Sequence, residues 1–456
     1  MVGWGVASLT VAHLAVAQQN AAPLVIVHAT VIDPGSSTVT PDQAVVVRGD
    51  RIVSVGSATG MAMPPNARII DATGRYLIPG LWDMHVHSAF GNWFPGGREV
   101  ILPLFVANGV TGVRDMGGDI PVLSAWRSEI AAGTIIGPRM VISGPMLDGY
   151  LADGKSLRFP SSIAVTSPDD AERAVRSLAA QHVDFIKVQS EVPRDAYLAA
   201  AAEAHRLGLP IVGHVPTRVR LSEVIDAGQA SVEHLMGLFE GCSTQEDKFI
   251  AGVGTMQMLL ASYDAPRCAA LMKRLATARV WQCPTLAWQR GETLLDLLDQ
   301  RHQPLARYVP MSWRTGGGSW QRFTDEIMVD IRKDPLARRT EYWQRNLAMT
   351  GALHRAGVPL LAGTDAAPGV FIVPGFSLHD ELAELVAAGL TPMEALQTAT
   401  SNPARFLGRN DIGAIAPGKV ADLVLLDRDP VADIHNTTTI DAVVANGRLF
   451  DRAALD

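Results

Sequence analysis

The segment PGLWDMHVH, residues 79–87, ends a short apolar run with two histidines one residue apart. Alternation along an extended chain puts Asp83, His85 and His87 on one face and Met84 and Val86 on the other. Both imidazoles could therefore serve one cation. Other short apolar stretches also close on a polar group: Lys187 in DFIKVQ, His214 in PIVGH, His234 in SVEH and Asp365 in LLAGTD. Each has an ordinary reading alone, since a histidine at a strand end is commonly a satisfied polar residue and an aspartate there a helix N-cap. Brought to one place, they would supply the nitrogen and oxygen donors that Zn²⁺ and similar ions take. Lys187 stands apart, because an ammonium is no ligand. Burial disfavours its charged form, and a neutral amine can add CO₂ to give a carbamate whose two oxygens bridge two metals.

Convergence requires an architecture that gathers strand ends. The middle of the chain repeats a helix ending in glycine, a short apolar strand and a closing polar residue, as in NGVTGVRD, LGLPIVGH, AGQASVEH and AGVPLLAGTD. Glycine takes the left-handed conformation at a helix C-terminus at little cost, and nearly all-apolar strands suit a buried parallel sheet. Amphipathic, alanine-rich stretches such as DDAERAVRSLAAQ precede them. Unit count and length favour an α/β fold of the closed (β/α)₈ TIM-barrel type over an open doubly wound sheet, and no G-x-G-x-x-G follows an early strand. The eight strands are predicted to begin near Leu77, Gly109, Arg139, Asp184, Leu209, Ala230, Val280 and Val358. The wide gap before the last holds TGGGSW and reads as a partly helical insertion, about residues 289–345, serving as a lid or a subunit contact.

Both ends of the chain are instead β-rich, with runs such as LVIVHATVID and AVVVRGDRIVSVG early and GKVADLVLLD late. They predict a small composite β-sandwich from residues 23–79 and 408–456, flanking a metal-binding barrel at 80–407. Residues 1–22 are small and apolar up to Gln18, with Ala15-Val16-Ala17 matching a cleavage site, which predicts a secretory signal and a periplasmic or secreted protein. No Lys or Arg precedes the apolar stretch, which keeps a cytoplasmic protein as the alternative. The net charge of −7 comes without a basic block, which argues against a nucleic-acid partner. No internal run is long and apolar enough to cross a bilayer. Of three cysteines, Cys242 and Cys268 could pair if the protein is exported, or all three are buried thiols.

The set PGLWDMHVH, FIKV, GHV, VEHL and GTDA resembles the amidohydrolase superfamily, nearest to its imidazolonepropionase-like and prolidase-type zinc dipeptidase branch. The closing segment SNPARFLGRNDIGAIAPGKVADLVLLDRDP is similar to that superfamily's C-terminal part, so the resemblance spans almost the whole chain after the N-terminal segment. It implies a binuclear site, most simply two zinc ions. His85, His87 and Asp365 would hold one metal, His214 and His234 the other, and an N-carboxylated Lys187 would bridge them. Asp365 would also take a proton from the bridging hydroxide as this attacks a substrate carbonyl.

Departures from the family pattern narrow the activity. Deaminases of the superfamily usually carry a glutamate three residues after the fifth-strand histidine, and here His214-Val215-Pro216-Thr217 stands in its place. Imidazolonepropionase works with one metal and lacks the bridging lysine, so Lys187 argues against that activity. The loop GPMLDGYLADGKSLR lacks the histidine some dipeptidase relatives carry, leaving Tyr150, Lys155 and Arg158 as substrate-binding candidates with His379 from the loop after strand 8. Tyr150 and His379 can each donate to a carbonyl oxygen and are expected to assist catalysis. The expected function is hydrolysis of an amide bond in a small substrate, a dipeptide or N-acyl amino acid. A lactone, carbamate or ester hydrolase, or a non-catalytic scaffold, are the alternatives. No repeat or heptad marks an oligomer contact, though the tryptophan-rich insertion could provide one between identical chains.

Overall fold

The structure is a computed structural model and describes residues 22–298, 304–366, 369 and 372–455. The proposed signal segment, apart from Ala22, lies outside the described residues.

Strands from both ends of the chain share one eight-stranded sheet. Leu24–Asp33 pairs antiparallel with Thr38–Arg48, which pairs with Arg51–Ser57. The join between the two ends is the antiparallel pair of Tyr76–Pro79 with Leu423–Leu426. Ile440–Ala445 and Arg448–Asp451 complete it through a two-residue hairpin at Asn446 and Gly447, both at positive φ (51° and 72°), the geometry an Asn-Gly turn favours. Leu24, Ile26, Val45, Leu77, Leu423 and Leu425 bury one shared apolar face, so neither terminal segment has a complete core without the other.

Between them run short parallel strands, most of them followed by helix. Leu81–Val86, Val110–Asp115 and Arg139–Ile142 pair in that order. A second parallel set contains Met146–Asp148, Ser162–Ala164, Ile186–Val188, Ile211–Gly213, Ser231–Glu233 and Trp281–Cys283. The sets touch where the Asp184 amide donates to the Ile142 carbonyl at 2.8 Å. The helices follow the expected logic. Pro168–Ala180 starts behind Ser167, whose hydroxyl accepts from the Asp170 amide at 3.2 Å, and buries Ala171, Ala174, Val175 and Leu178 along one stripe.

Three predicted features came out differently. The strand expected from Leu77 divides at Gly80: residues 76–79 belong to the composite sheet and 81–86 to the parallel one. A Cβ on Gly80 would stand 2.1 Å from Thr111 Oγ1, so only glycine lets the chain pass there. The eighth strand, expected from Val358, is reduced to isolated parallel bridges, Leu360 to Gln282 and Ala366 to Val86. Asp365 between them adopts φ +58°, which interrupts a regular ladder. Met146–Asp148 and Ser162–Ala164 add two strands that apolar patterning did not mark. The insertion is largely helical, with Leu286–Leu294, Ser319–Ile331 and Leu336–Arg355 as its long members. Cys242 and Cys268 form a disulfide, and Cys283 is a buried free thiol.

Candidate metal centre and cavity

The first strand delivers His85 and His87 to one point because alternate residues share a face, and the bend at Asp365 aims its carboxylate at both. Asp365 Oδ1 lies 3.3 Å from His85 Nε2 and 3.3 Å from His87 Nε2, and Oδ2 lies 3.9 Å from His234 Nε2. The His234 ring stands 4.7 Å from that of His85 and 5.0 Å from that of His214. His234, Thr285 and Asp365 all sit at left-handed φ, between 48° and 59°, a conformation non-glycine residues adopt at a cost and that gathers at functional sites.

Each histidine is held by its other ring nitrogen. His85 Nδ1 meets Glu233 Oε2 at 3.0 Å, and His87 Nδ1 meets the Gly117 carbonyl at 3.2 Å. His214 Nδ1 meets Ser190 Oγ at 2.7 Å, and His234 Nδ1 meets Thr285 Oγ1 at 2.6 Å. Four imidazoles fixed through Nδ1, with Nε2 kept for another partner, is the arrangement metal-binding histidines adopt. The fit extends to unsatisfied atoms: among the described residues, His85 Nε2 and Lys187 Nζ are buried without a hydrogen-bond partner. One nitrogen from each of His85 and His87 and an oxygen of Asp365 lie within 4.8 Å of one another, close enough to share an ion.

Electrostatics suit the same use. Burial holds His214 and His85 well below the usual histidine range and brings His234 down to about 4, so these rings are neutral, as ligation requires. Burial would raise Asp365, but His85, His87 and His234 outweigh it and keep the carboxyl ionised. Lys187, fully buried, is brought down to about 8 by burial against the pull of Glu233 and Asp365. A neutral amine is thus within reach near neutral pH.

A supporting layer lies beneath. Arg114 and Glu233 are both completely buried, with Arg114 Nη2 donating to Glu233 Oε1 and Oε2 at 3.0 and 2.9 Å. Ser231 Oγ donates to Glu233 at 2.5 Å, and Glu233 in turn steadies His85. Asp83 accepts from Thr364 Oγ1 at 2.6 Å and from the Thr364 amide at 3.0 Å, fastening the first strand to the segment that carries Asp365. Gln289 donates to the His234 carbonyl at 2.9 Å and accepts from Asn346 at 2.9 Å, which ties the helical insertion to the centre. Gly213 adopts φ +124°, and a Cβ there would meet the Val188 carbonyl oxygen at 2.3 Å and Lys187 Cδ at 2.9 Å. The sequence signal for Glu233 and Gly213 was direct adjacency to His234 and His214. Arg114 in GVRD and Thr285 carried none.

A cavity of about 410 Å³ opens over the cluster and is walled by the insertion through Trp288, Phe323 and Tyr342. Of the loop candidates, Arg158 lines it, whereas Tyr150 and Lys155 do not. Tyr150 is 41% exposed on the surface instead. His379 is the clearer departure. It is 5% exposed on the helix Phe376–Ala387, with its ring nitrogens 2.9 Å from Thr437 Oγ1 and 3.2 Å from the Asn108 carbonyl. Both of its polar atoms are engaged in joining core elements, away from the cavity.

The sequence pattern described as the amidohydrolase family matches residues 76–450. An adenine deaminase of Rubrobacter xylanophilus is 25% identical over 440 residues, covering 93% of this chain, which in turn spans 58% of that relative's length. An imidazolonepropionase of Ruegeria sp. is 26% identical over 416 residues, 89% of this chain and 92% of the relative. Among solved structures, a Xaa-Pro dipeptidase with methionine bound in its active site superposes with TM-score 0.69 at 20% identity, covering 94% of this chain and all of the other. That likeness establishes a TIM-barrel type of fold.

Proposed function

The chain belongs to the amidohydrolase family, hydrolases of carbon–nitrogen bonds, and from that premise we propose that it is a binuclear metal-dependent amidohydrolase cleaving an amide bond in a dipeptide or N-acyl amino acid. One observation carries the reading: four imidazoles pinned through Nδ1 turn toward a site that also holds a buried, unpartnered Lys187 amine and an ionised Asp365. In this reading His85, His87 and Asp365 would hold one cation and His214 and His234 the second. An N-carboxylated Lys187 would complete the ligand set, and residues 80–407 would close into a (β/α)₈ barrel beside a sandwich of residues 23–79 and 408–456. Zinc suits the nitrogen and oxygen donors, and when bound such ions acidify a water and polarise a carbonyl.

The chain's own groups then have defined work. Asp365, kept ionised by three neighbouring imidazoles, accepts a proton from the attacking water and returns it to the leaving amine. Glu233 and Arg114 hold His85 in one orientation, and Ser190 and Thr285 do the same for His214 and His234. The helical insertion walls the cavity and limits water around the scissile bond. The same reading implies a small-molecule substrate, and the N-terminal segment separately supports an exported protein.

Metal analysis of the protein purified without chelator tests this. Two ions per chain are expected, with Lys187→Ala losing metal together with hydrolysis of a dipeptide panel. A single tightly held ion that survives Lys187→Ala would refute the bridged site.

A further inference from the structure

The head of the helix Leu286–Leu294 holds His234 at two points. Thr285 Oγ1 meets His234 Nδ1 at 2.6 Å, and Gln289 Nε2 donates to the His234 carbonyl at 2.9 Å. A threonine in front of a helix ordinarily turns its hydroxyl onto an amide of the first turn. Thr285 makes no such bond, because it stands at φ +48° rather than in extended backbone and its hydroxyl is committed to the histidine. Leu286 and Ala287 are buried, and helix geometry gives their amides no acceptor within the helix itself. The acceptor has to come from another element.

Glu381 supplies it, from the helix Phe376–Ala387 that follows the Asp365 segment. Its Oε2 accepts from the Ala287 amide at 2.8 Å, and the Leu286 amide faces the same carboxyl. Glu381 has no solvent exposure, and among the described residues its Oε1 is buried without a hydrogen-bond partner. A carboxyl in that position costs desolvation, but an apolar side chain would leave the Ala287 amide unpaired in the interior. Burial pushes the Glu381 carboxyl well above the usual carboxylate range, and Glu384 and Asp83 add to it, so it accepts the amide as a neutral acid. Its contribution is therefore a fixed oxygen rather than a charge.

We propose that Glu381 is a positioning residue for His234: by holding the Ala287 amide it fixes the turn from which Thr285 and Gln289 orient that imidazole. The proposal rests on the binuclear reading for what His234 would ligate. It links the helix after the Asp365 segment to the histidine on the far side of the centre, through a side chain that touches neither cavity nor ligand.

Cobalt(II) titration of the full chain after chelator treatment, followed by visible absorption, tests it. In Glu381→Leu, or Glu381→Met should the leucine variant not fold, one equivalent is expected to bind about tenfold more weakly while the other holds. Glu381→Gln keeps an accepting oxygen at the same place and should keep both affinities within about threefold of the original. Leu382→Ala, a buried neighbour on the same helix, lowers stability without touching the Ala287 amide and should leave cobalt binding unchanged. Unchanged binding in the leucine and methionine variants, equal weakening in Leu382→Ala, or a tenfold loss in Glu381→Gln overturns the proposal. A metal-free readout separates it from the reading it rests on. With histidine labelled with nitrogen-15, the ring signal lost in His234→Asn should shift or broaden in Glu381→Leu and stay in place in Glu381→Gln. A His234 signal unmoved by Glu381→Leu overturns the positioning role whatever the metal count, whereas a single cobalt equivalent with that signal moved refutes only the binuclear site.

Discussion

Arg114→Met tests whether the buried ion pair under the centre holds it together. Arg114 and Glu233 have no solvent exposure, and Glu233 carries four contacts at once: two from the guanidinium, one from Ser231 and one to His85 Nδ1. Methionine keeps much of the volume against Phe406, whose ring centroid lies 5.0 Å from the guanidinium, but removes the charge. Breaking one half of a buried pair costs about 3–5 kcal/mol, because the remaining carboxylate is left without compensation. The hydrogen bond from Arg114 Nε to the Met84 carbonyl, 2.5 Å, is lost too and adds about 1 kcal/mol. His85 also loses its fixed orientation, for which a ten- to hundredfold drop in metal affinity is expected. Urea unfolding in the presence of a chelator isolates the first effect from metal linkage, and competition with a chromogenic chelator measures the second. In the double variant Arg114→Met/Glu233→Met both charges go together, so its loss should be smaller than the sum of the singles by about 2 kcal/mol or more. A loss below about 1 kcal/mol in Arg114→Met, with metal affinity unchanged, would refute the argument.

Other expectations follow from residues around the centre. His379 has a folded-state pKa of about 4 against 6.5 unfolded, so between those values the unfolded chain binds more protons and stability falls as pH drops from above 6.5 toward 4. The full difference is worth roughly 3 kcal/mol, and in His379→Phe that part of the pH dependence of urea unfolding should disappear while metal content stays unchanged. Tyr150→Phe, on an exposed side chain outside the cavity, should alter neither kcat/KM nor stability beyond about 0.5 kcal/mol. Gly213→Ala, forced to φ +124° with its Cβ 2.3 Å from a carbonyl oxygen, should lose more than about 1 kcal/mol and bind metal more weakly, measured by the same unfolding and competition assays.

The set of residues that converges on the centre was legible because it obeys a local rule. His85 and His87 announce one face by their spacing, and Lys187, His214 and His234 each close an apolar run, so a strand-by-strand listing found them without knowledge of contacts. Asp365 was legible as the last of that series, even though its strand dissolves into two bridges. The composite sheet was legible for a similar reason, since both chain ends carry alternating β-branched runs that need a partner face. What failed was any inference requiring a side chain's destination. Tyr150 and His379 were chosen because their chemistry suited a carbonyl oxygen, yet chemistry does not choose direction. The helix from Phe376 turns His379 toward Thr437 and Asn108, contacts 58 and 271 residues away along the chain. Arg114 fails in the opposite sense: in GVRD its neighbour Asp115 looked like the polar closure of a strand, whereas alternation sends Arg114 inward to a glutamate 119 residues later. Glu233 shows where such inference could be extended, for it stands beside a predicted ligand on a three-residue strand. A buried acid in that position, pointing away from the cavity that its neighbour faces, can only be there with a cation beneath it. The sequence therefore holds half of the Arg114–Glu233 pair in plain view, and the missing half is a question of which buried arginine the parallel strands bring alongside.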